Sequence, residues 1–272
     1  MRLERPNVVY LMLDAVSDRQ FYRRLPKSSQ VLKTIHRPGN HRLFELYRYH
    51  SVGFSSDNNT KAAYIGEIYP SRPNQLPIWA HYRDRGYVTA RVETGCDDWA
   101  ELYLGGKYKS QEYSVGNRKG HEGSGEVLRT VDDSLAAFLE SMRDSGELND
   151  TVLIIATDHG LHMGLSFALL QNGRIEHQSP FLVMSVPEWL HECSEKYQTD
   201  HGSEKVSPFA ANEQRLVTPF ETHHTFRVLA DWSEFETDSW KRSLFAAQRA
   251  GRTCEEAGIG ASFCMCKIPA TS

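Results

Sequence analysis

The sequence predicts an α/β fold: a mostly parallel central sheet with helices on both faces. Two continuous apolar runs carry the first part of this reading. Val8–Leu13 and Thr151–Ala156 are short, partly β-branched and unbroken by polar residues, as strands buried on both faces are. Between them lie segments whose apolar residues recur at helical spacing, and strands alternating with helices argue parallel pairing under two helical layers. The balance of 40% hydrophobic and 24% charged residues is that of a globular chain.

Taken in order, Val8–Leu13 ends at Asp14, so a carboxylate leaves the carboxyl end of a strand, where open α/β sheets place their ligand sites. Leu76–Arg85 reads as a helix closed by Gly86, and Tyr87–Val92 as a strand after it. Lys107–Gly125 is polar, glycine-rich and without period, which predicts a loop over the site. Val127, Leu128, Val131, Leu135, Phe138 and Leu139 share one helical face, with Gly146 as the stop. Thr151–Ala156 follows and runs into Thr157-Asp158-His159-Gly160. Phe181–Val186 reads as a further strand, and Thr222–Trp232, after Pro219, as a helix. No repeat or low-complexity stretch interrupts the chain, so residues 1–272 read as one domain with a cysteine-rich tail over 252–272.

A net charge of -4 gives no long-range attraction to nucleic acid or to an anionic membrane. No apolar run approaches the roughly 18 residues of a membrane span, and Val8–Leu13 is too short for a signal sequence. Of the five cysteines, Cys254, Cys264 and Cys266 crowd into the last nineteen residues, and none forms a Cys-x-x-Cys pair. Two readings stand: thiols of a cytosolic protein, or a tail stapled by disulfides in an oxidising compartment.

Asp158-His159 directly after a strand offers an oxygen and a nitrogen ligand to one ion, suited to zinc or manganese. Asp14, at the end of another strand, would repel Asp158 unless a cation or a proton lay between them. The plainer alternative is that one of these acids caps a following helix. Gly53-Phe54-Ser55-Ser56-Asp57-Asn58-Asn59-Thr60 is a small polar run entering a helical stretch. Such a run caps a helix, and the same geometry receives an anionic ester, with a serine as nucleophile if a metal lowers its hydroxyl pKa.

Together these residues and the later His177 resemble the alkaline phosphatase superfamily, in particular an uncharacterised eukaryotic sulfatase-like or phosphodiesterase-like branch. The likeness runs collinearly over most of the chain through "LMLDAVSDRQFYRRLPKS", "YHSVGFSSDNNTKAAYIGEIYP", "GYVTARVE", "NDTVLIIATDHG", "EHQSPFLVMSVP", "RLVTPFETHHTF" and "EEAGIGASFCMC". In that clan the nucleophile stands ten residues before a helix-closing glycine. Counting back from Gly66 implies Ser56, with Asn59 near the bound phosphoryl group and Thr60 as the second candidate nucleophile. One metal would be held by Asp14, Asp158, His159 and the Ser56 oxygen. A second would take His121 and His177, with Asn117 standing where relatives carry an aspartate; an amide can ligate but brings no charge. His162 occupies a position where relatives often have a basic residue facing substrate, and His223 and His224 fall in a structural helix.

The resemblance implies a metal-dependent hydrolase of phosphate esters or a phospho-group transferase, with a divalent cation: zinc, one or two ions, or else manganese or calcium. Its substrate would be a small-molecule, lipid or glycan ester. Sulfate-ester hydrolysis and a non-catalytic binding module that keeps the fold are the alternatives. No Cys/Ser-x-Pro-x-Arg motif surrounds Ser56, which disfavours a formylglycine sulfatase. The start at Met1, six residues before the first strand, implies a missing leader or anchor. Relatives are secreted or reside in the secretory-pathway lumen; cytoplasmic residence is the alternative.

Overall fold

A computed structural model describes residues 5–36, 40–69, 76–90, 92, 124–201 and 207–265. Of the expected loop over 107–125, residues 107–123 lie outside them, as do Asn117, His121, Cys96 and Cys266, while Ser124 and Gly125 begin a helix instead. Among the described residues, four strands form one sheet in the order β1-β3-β4-β2. They are β1 (Asn7–Leu13), β2 (His41–Glu45), β3 (Thr151–Thr157) and β4 (Leu182–Pro187).

The α/β class holds, and the mostly parallel sheet does not. Only β1 and β3 run parallel, in register from Asn7 opposite Thr151 to Leu13 opposite Thr157. β4 is antiparallel to β3, with Leu153 opposite Ser185, and β2 is antiparallel to β4, with Phe44 opposite Met184. Periodicity reports that a run is a strand and not which way its neighbour points, so this was not legible beforehand. β3 is buried along its whole length, as its apolar run requires. β1 flanks it at the sheet edge and is only partly buried. Residues 87–90 and 92, expected as strand, carry none.

The two sheet faces bury different helices. One face presents Val152, Ile154, Ala156, Leu182, Met184 and Val186 to a core shared with Phe209, Phe226 and Leu229. Its helices are α4 (Ile78–Asp84), α8 (Glu188–His201), α9 (Pro208–Asn212) and α10 (Pro219–Ala230). The other face presents Leu153, Ile155, Phe181 and Val183 to Phe21, Leu32, Ile35, Leu135 and Leu139. Those come from α1 (Asp18–Arg24), α2 (Pro26–Ile35) and α5 (Ser124–Ser145). α5 buries Leu135 and Leu139 of the expected face, with Leu128 and Val131 partly buried, but leaves Phe138 exposed, and it stops at Gly146, whose φ is 81°. The alternation of β3 residues between the two cores is the two-residue period of a strand.

α3 (Ser56–Ile65) begins at the polar run and ends at Gly66, which adopts φ 75°. A side chain there would also meet His223, its ideal Cβ lying 2.7 Å from the ring. α3 packs on α10, where the His223 Nδ1 lies 3.2 Å from the Ala63 carbonyl. Burial, followed by the neighbouring His224, pushes His223 down to about 3, so it packs as a neutral ring.

The cysteine alternatives are decided for one pair: Cys254 and Cys264 form a disulfide. With Ala257, Ile259 and Phe263 they pack against Val52, Ala62 and Leu216, beneath the segment that leads into α3. The tail is tied back further by Gln178 Nε2 donating to the Phe263 carbonyl at 2.8 Å and by Arg252 pairing with the buried Glu221 at 2.8 Å. Replacing both Cys254 and Cys264 by Ala is expected to cost about 2–3 kcal/mol, the chain entropy of a loop this short. A urea titration of wild type against the double variant measures it.

Candidate metal centre and nucleophile

The parallel register of β1 and β3 fixes the centre. With Leu13 opposite Thr157, the next residues, Asp14 and Asp158, leave the sheet side by side. The chain turns at Ala15, a non-glycine residue at φ 56°. That conformation costs energy and recurs where a site dictates the backbone. Here it lets the Ala15 N–H donate to Asp158 Oδ1 at 3.0 Å, and the His159 N–H donates to the same oxygen at 2.8 Å. Asp158 Oδ2 is buried and has no hydrogen-bond partner.

Ser56, the first residue of α3, points its hydroxyl into this group. Ser56 Oγ lies 3.0 Å from Asp14 Oδ1 and 3.0 Å from His159 Nε2. The His159 Nδ1 sits 2.8 Å from the Gly160 carbonyl. A carbonyl only accepts, so Nδ1 carries the hydrogen and Nε2 presents a lone pair. Asp14 Oδ1 and His159 Nε2 are therefore two acceptors competing for the single proton of Ser56, and Asp158 Oδ2 lies 3.3 Å from the same His159 Nε2. This donor set suits a divalent cation: Asp14, Asp158 and His159 each offer one ligand atom, all within 4.8 Å of one another.

His177 reaches the same region from α7 (Gln171–Gln178). Its Nε2 lies 2.9 Å from the Phe54 carbonyl, which leaves Nδ1 as its ligating atom. Burial pushes it down to about 4, so its ring is neutral at physiological pH. Gly160 makes this approach possible. Its N–H donates to the His177 carbonyl at 2.9 Å, and an ideal Cβ on it would stand 2.1 Å from the Glu176 carbonyl oxygen. The glycine of Asp-His-Gly thus admits the end of α7 against the end of β3.

Of the residues singled out in the sequence, Asp14, Ser56, Asp158, His159 and His177 lie in one constellation. Asn59 is nearby but committed to the backbone. Its Oδ1 accepts from Val52 N at 2.7 Å, and its Nδ2 donates to the carbonyls of Gly53 and Ser55 at 2.9 and 3.0 Å. Thr60 is buried one helical turn beyond Ser56, its hydroxyl without a partner. His162, expected from the resemblance to face substrate, stands close to two of these histidines. It lies among His159 and His177, with a buried Nδ1 that has no partner. The signal was a third histidine three residues after His159, a spacing with no regular meaning in a loop. The segment that follows it is apolar: Met163, Leu165, Leu169 and Leu170, which flank Phe167 in the chain, are exposed, and Phe167 packs on Phe54.

Burial first, and Asp14 in addition, raise Asp158 to about 6, while His159 opposes this. The folded state then holds a proton more tightly than the unfolded chain. In metal-free protein that contribution is complete below about pH 4 and is lost as pH rises through 6, about 3 kcal/mol in all. Asp158→Asn is expected to abolish Mn2+ uptake yet raise the melting temperature of metal-free protein at pH 8 relative to wild type. Melts in chelator at pH 5 and 8, with elemental analysis, check both. Gly160→Ala should cost about 1–3 kcal/mol by forcing the backbones of β3 and α7 apart, and should lower metal content in the same assay.

Among curated proteins no sequence matches this chain. Among solved structures, the lipooligosaccharide phosphoethanolamine transferase EptA of Neisseria meningitidis aligns with a TM-score of 0.52 at 10% identity, over 85% of this chain and 56% of its own. A protein in the alkaline phosphatase superfamily from Vibrio parahaemolyticus aligns with a TM-score of 0.48 at 11% identity, over 85% and 67%. The zinc complex of the periplasmic domain of Escherichia coli EptC aligns with a TM-score of 0.47 at 11% identity, over 92% and 88%. The family described as "Protein of unknown function (DUF229)" matches residues 116–272, which include Asp158, His159 and His177. The chain therefore belongs to the DUF229 family, and its fold is similar to that of the transferase EptA.

Proposed function

We propose that the protein is a metal-dependent enzyme acting on phosphate esters, as a hydrolase or a phospho-group transferase, with Ser56 as nucleophile. The observation that carries this reading is the Ser56 hydroxyl, 3.0 Å from both Asp14 and His159 beside the unpartnered Asp158 Oδ2. A divalent cation held by Asp14, Asp158 and His159 would lower the hydroxyl pKa and offset charge on the ester oxygens. Zinc fits this mixed set of oxygen and nitrogen ligands, with manganese or calcium as alternatives.

The chain's own residues supply the rest. Asp14 Oδ1 orients the hydroxyl proton away from the attacking lone pair. The position of Ser56 at the start of a ten-residue helix sets the positive end of the helix dipole against incoming negative charge. Attack forms a Ser56 Oγ–phosphorus bond as the bond to the leaving oxygen breaks, and water or an acceptor alcohol then releases the phosphoryl group. Asn59 is a positioning residue, since its amide holds the turn that presents Ser56. Asn117 and His121 remain candidates for a further ion.

The exposed apolar segment with Met163, Leu165, Leu169 and Leu170 supports an ester with an apolar portion, a lipid rather than a glycan. The Cys254–Cys264 disulfide supports residence outside the cytosol, in the secretory-pathway lumen or beyond. No described helix is long and apolar enough to cross a membrane.

The test is Ser56→Ala assayed on aryl phosphate monoesters, diesters and sulfates at matched metal content. Turnover of the preferred ester is expected to fall about 10³-fold or more, with metal retained, because Asp14, Asp158 and His159 remain. Unchanged turnover would remove Ser56 as nucleophile. Preference for the aryl sulfate would replace phosphate by sulfate chemistry, and a wild type that binds metal but turns over none of the three would favour the binding module.

A further inference from the structure

His159 belongs to two donor sets at once. Besides Asp14–Asp158–His159, one ring nitrogen from each of His159, His162 and His177 lies within 4.8 Å of the others. The three rings are mutually close, with centroids 4.9 Å apart for His159 and His162, 5.1 Å for His159 and His177, and 5.6 Å for His162 and His177. Their planes are inclined by 52–74°, so they surround a point rather than stack. His177 is oriented through its contact with the Phe54 carbonyl, as metal-bound imidazoles are by a backbone acceptor. Phe54, Phe167 and Phe263 pack on His177 at 4.8, 5.3 and 5.6 Å and give its ring an apolar surround.

We propose that His162 is a metal ligand and that His159, His162 and His177 form a second, all-imidazole position for a cation, sharing His159 with the carboxylate position. This rests on the metal-centre reading above and extends it. With Nδ1 of His159 engaged by Gly160, only Nε2 has a lone pair to give. Across the two sets the chain then holds one ion at a time. The ion's preference decides which set it takes: zinc or cobalt, which either set accepts, is held more tightly by three imidazoles, while manganese or calcium is held by the two carboxylates and one imidazole.

Calorimetric titration of the full chain with Zn2+ and, separately, Mn2+ tests this, on wild type, His162→Gln, Asp14→Asn and Asp158→Asn. His162→Gln is expected to weaken Zn2+ binding at least tenfold and leave Mn2+ unchanged, and the retained Mn2+ binding certifies that the variant is folded. Asp14→Asn should do the reverse. A spectroscopic check uses Co2+, whose visible bands should shift between wild type and His162→Gln. Zn2+ binding by His162→Gln equal to wild type would overturn the proposal, as would two Zn2+ ions bound together by these two sets. Undiminished Mn2+ binding by Asp158→Asn would instead overturn the carboxylate centre itself, whatever His162 does, which separates the two failures.

Discussion

Everything at the centre depends on the parallel, in-register pairing of β1 with β3. Had Leu13 faced any residue other than Thr157, Asp14 and Asp158 would leave the sheet at different heights and share nothing. Pairing them concentrates negative charge at one point, where burial of Asp158 prevents water from screening it. The surrounding structure answers that charge with two backbone N–H groups on Asp158 Oδ1 and leaves the other oxygen unanswered. The strained backbone of Ala15 is part of the same compensation, since its conformation delivers one of the two donors.

What the sequence disclosed was chemistry carried by strong local signals. An acid directly after an apolar run, a small polar run entering a helix, and Asp-His-Gly after β3 each locate a residue relative to an element, and the element brings it to the sheet edge. The helical face of α5 was legible for the same reason, because several apolar positions repeat with one period. Long-range facts were not legible. β2 reads His-Arg-Leu-Phe-Glu, with too little alternation to announce a strand, and its pairing to β4 is set by the core residues beneath it.

The finer anatomy of the centre was hidden for another reason: it depends on contacts between distant segments. Gly160 carries no signal of its own after Asp158-His159 in the sequence, yet its missing side chain is what admits the end of α7. Asn59 looks like a ligand to substrate, yet its amide spans the turn before α3. His162 reads as a residue facing substrate until the fold brings His159 and His177 around it.

Phe263 packs against His177, and Met265 N donates to His50 at 3.3 Å, while Asp14 comes from the first strand. The centre therefore joins segments about 250 residues apart in the chain, an extreme of sequence separation that slows folding because loop entropy is lost before the contacts form. During synthesis the sheet has all four strands once residue 187 has emerged, but the aromatic wall behind His177 cannot close until residue 263 follows. His177 thus lacks the ring that packs behind it through the last stretch of translation. The folding chain passes through that interval at its most exposed.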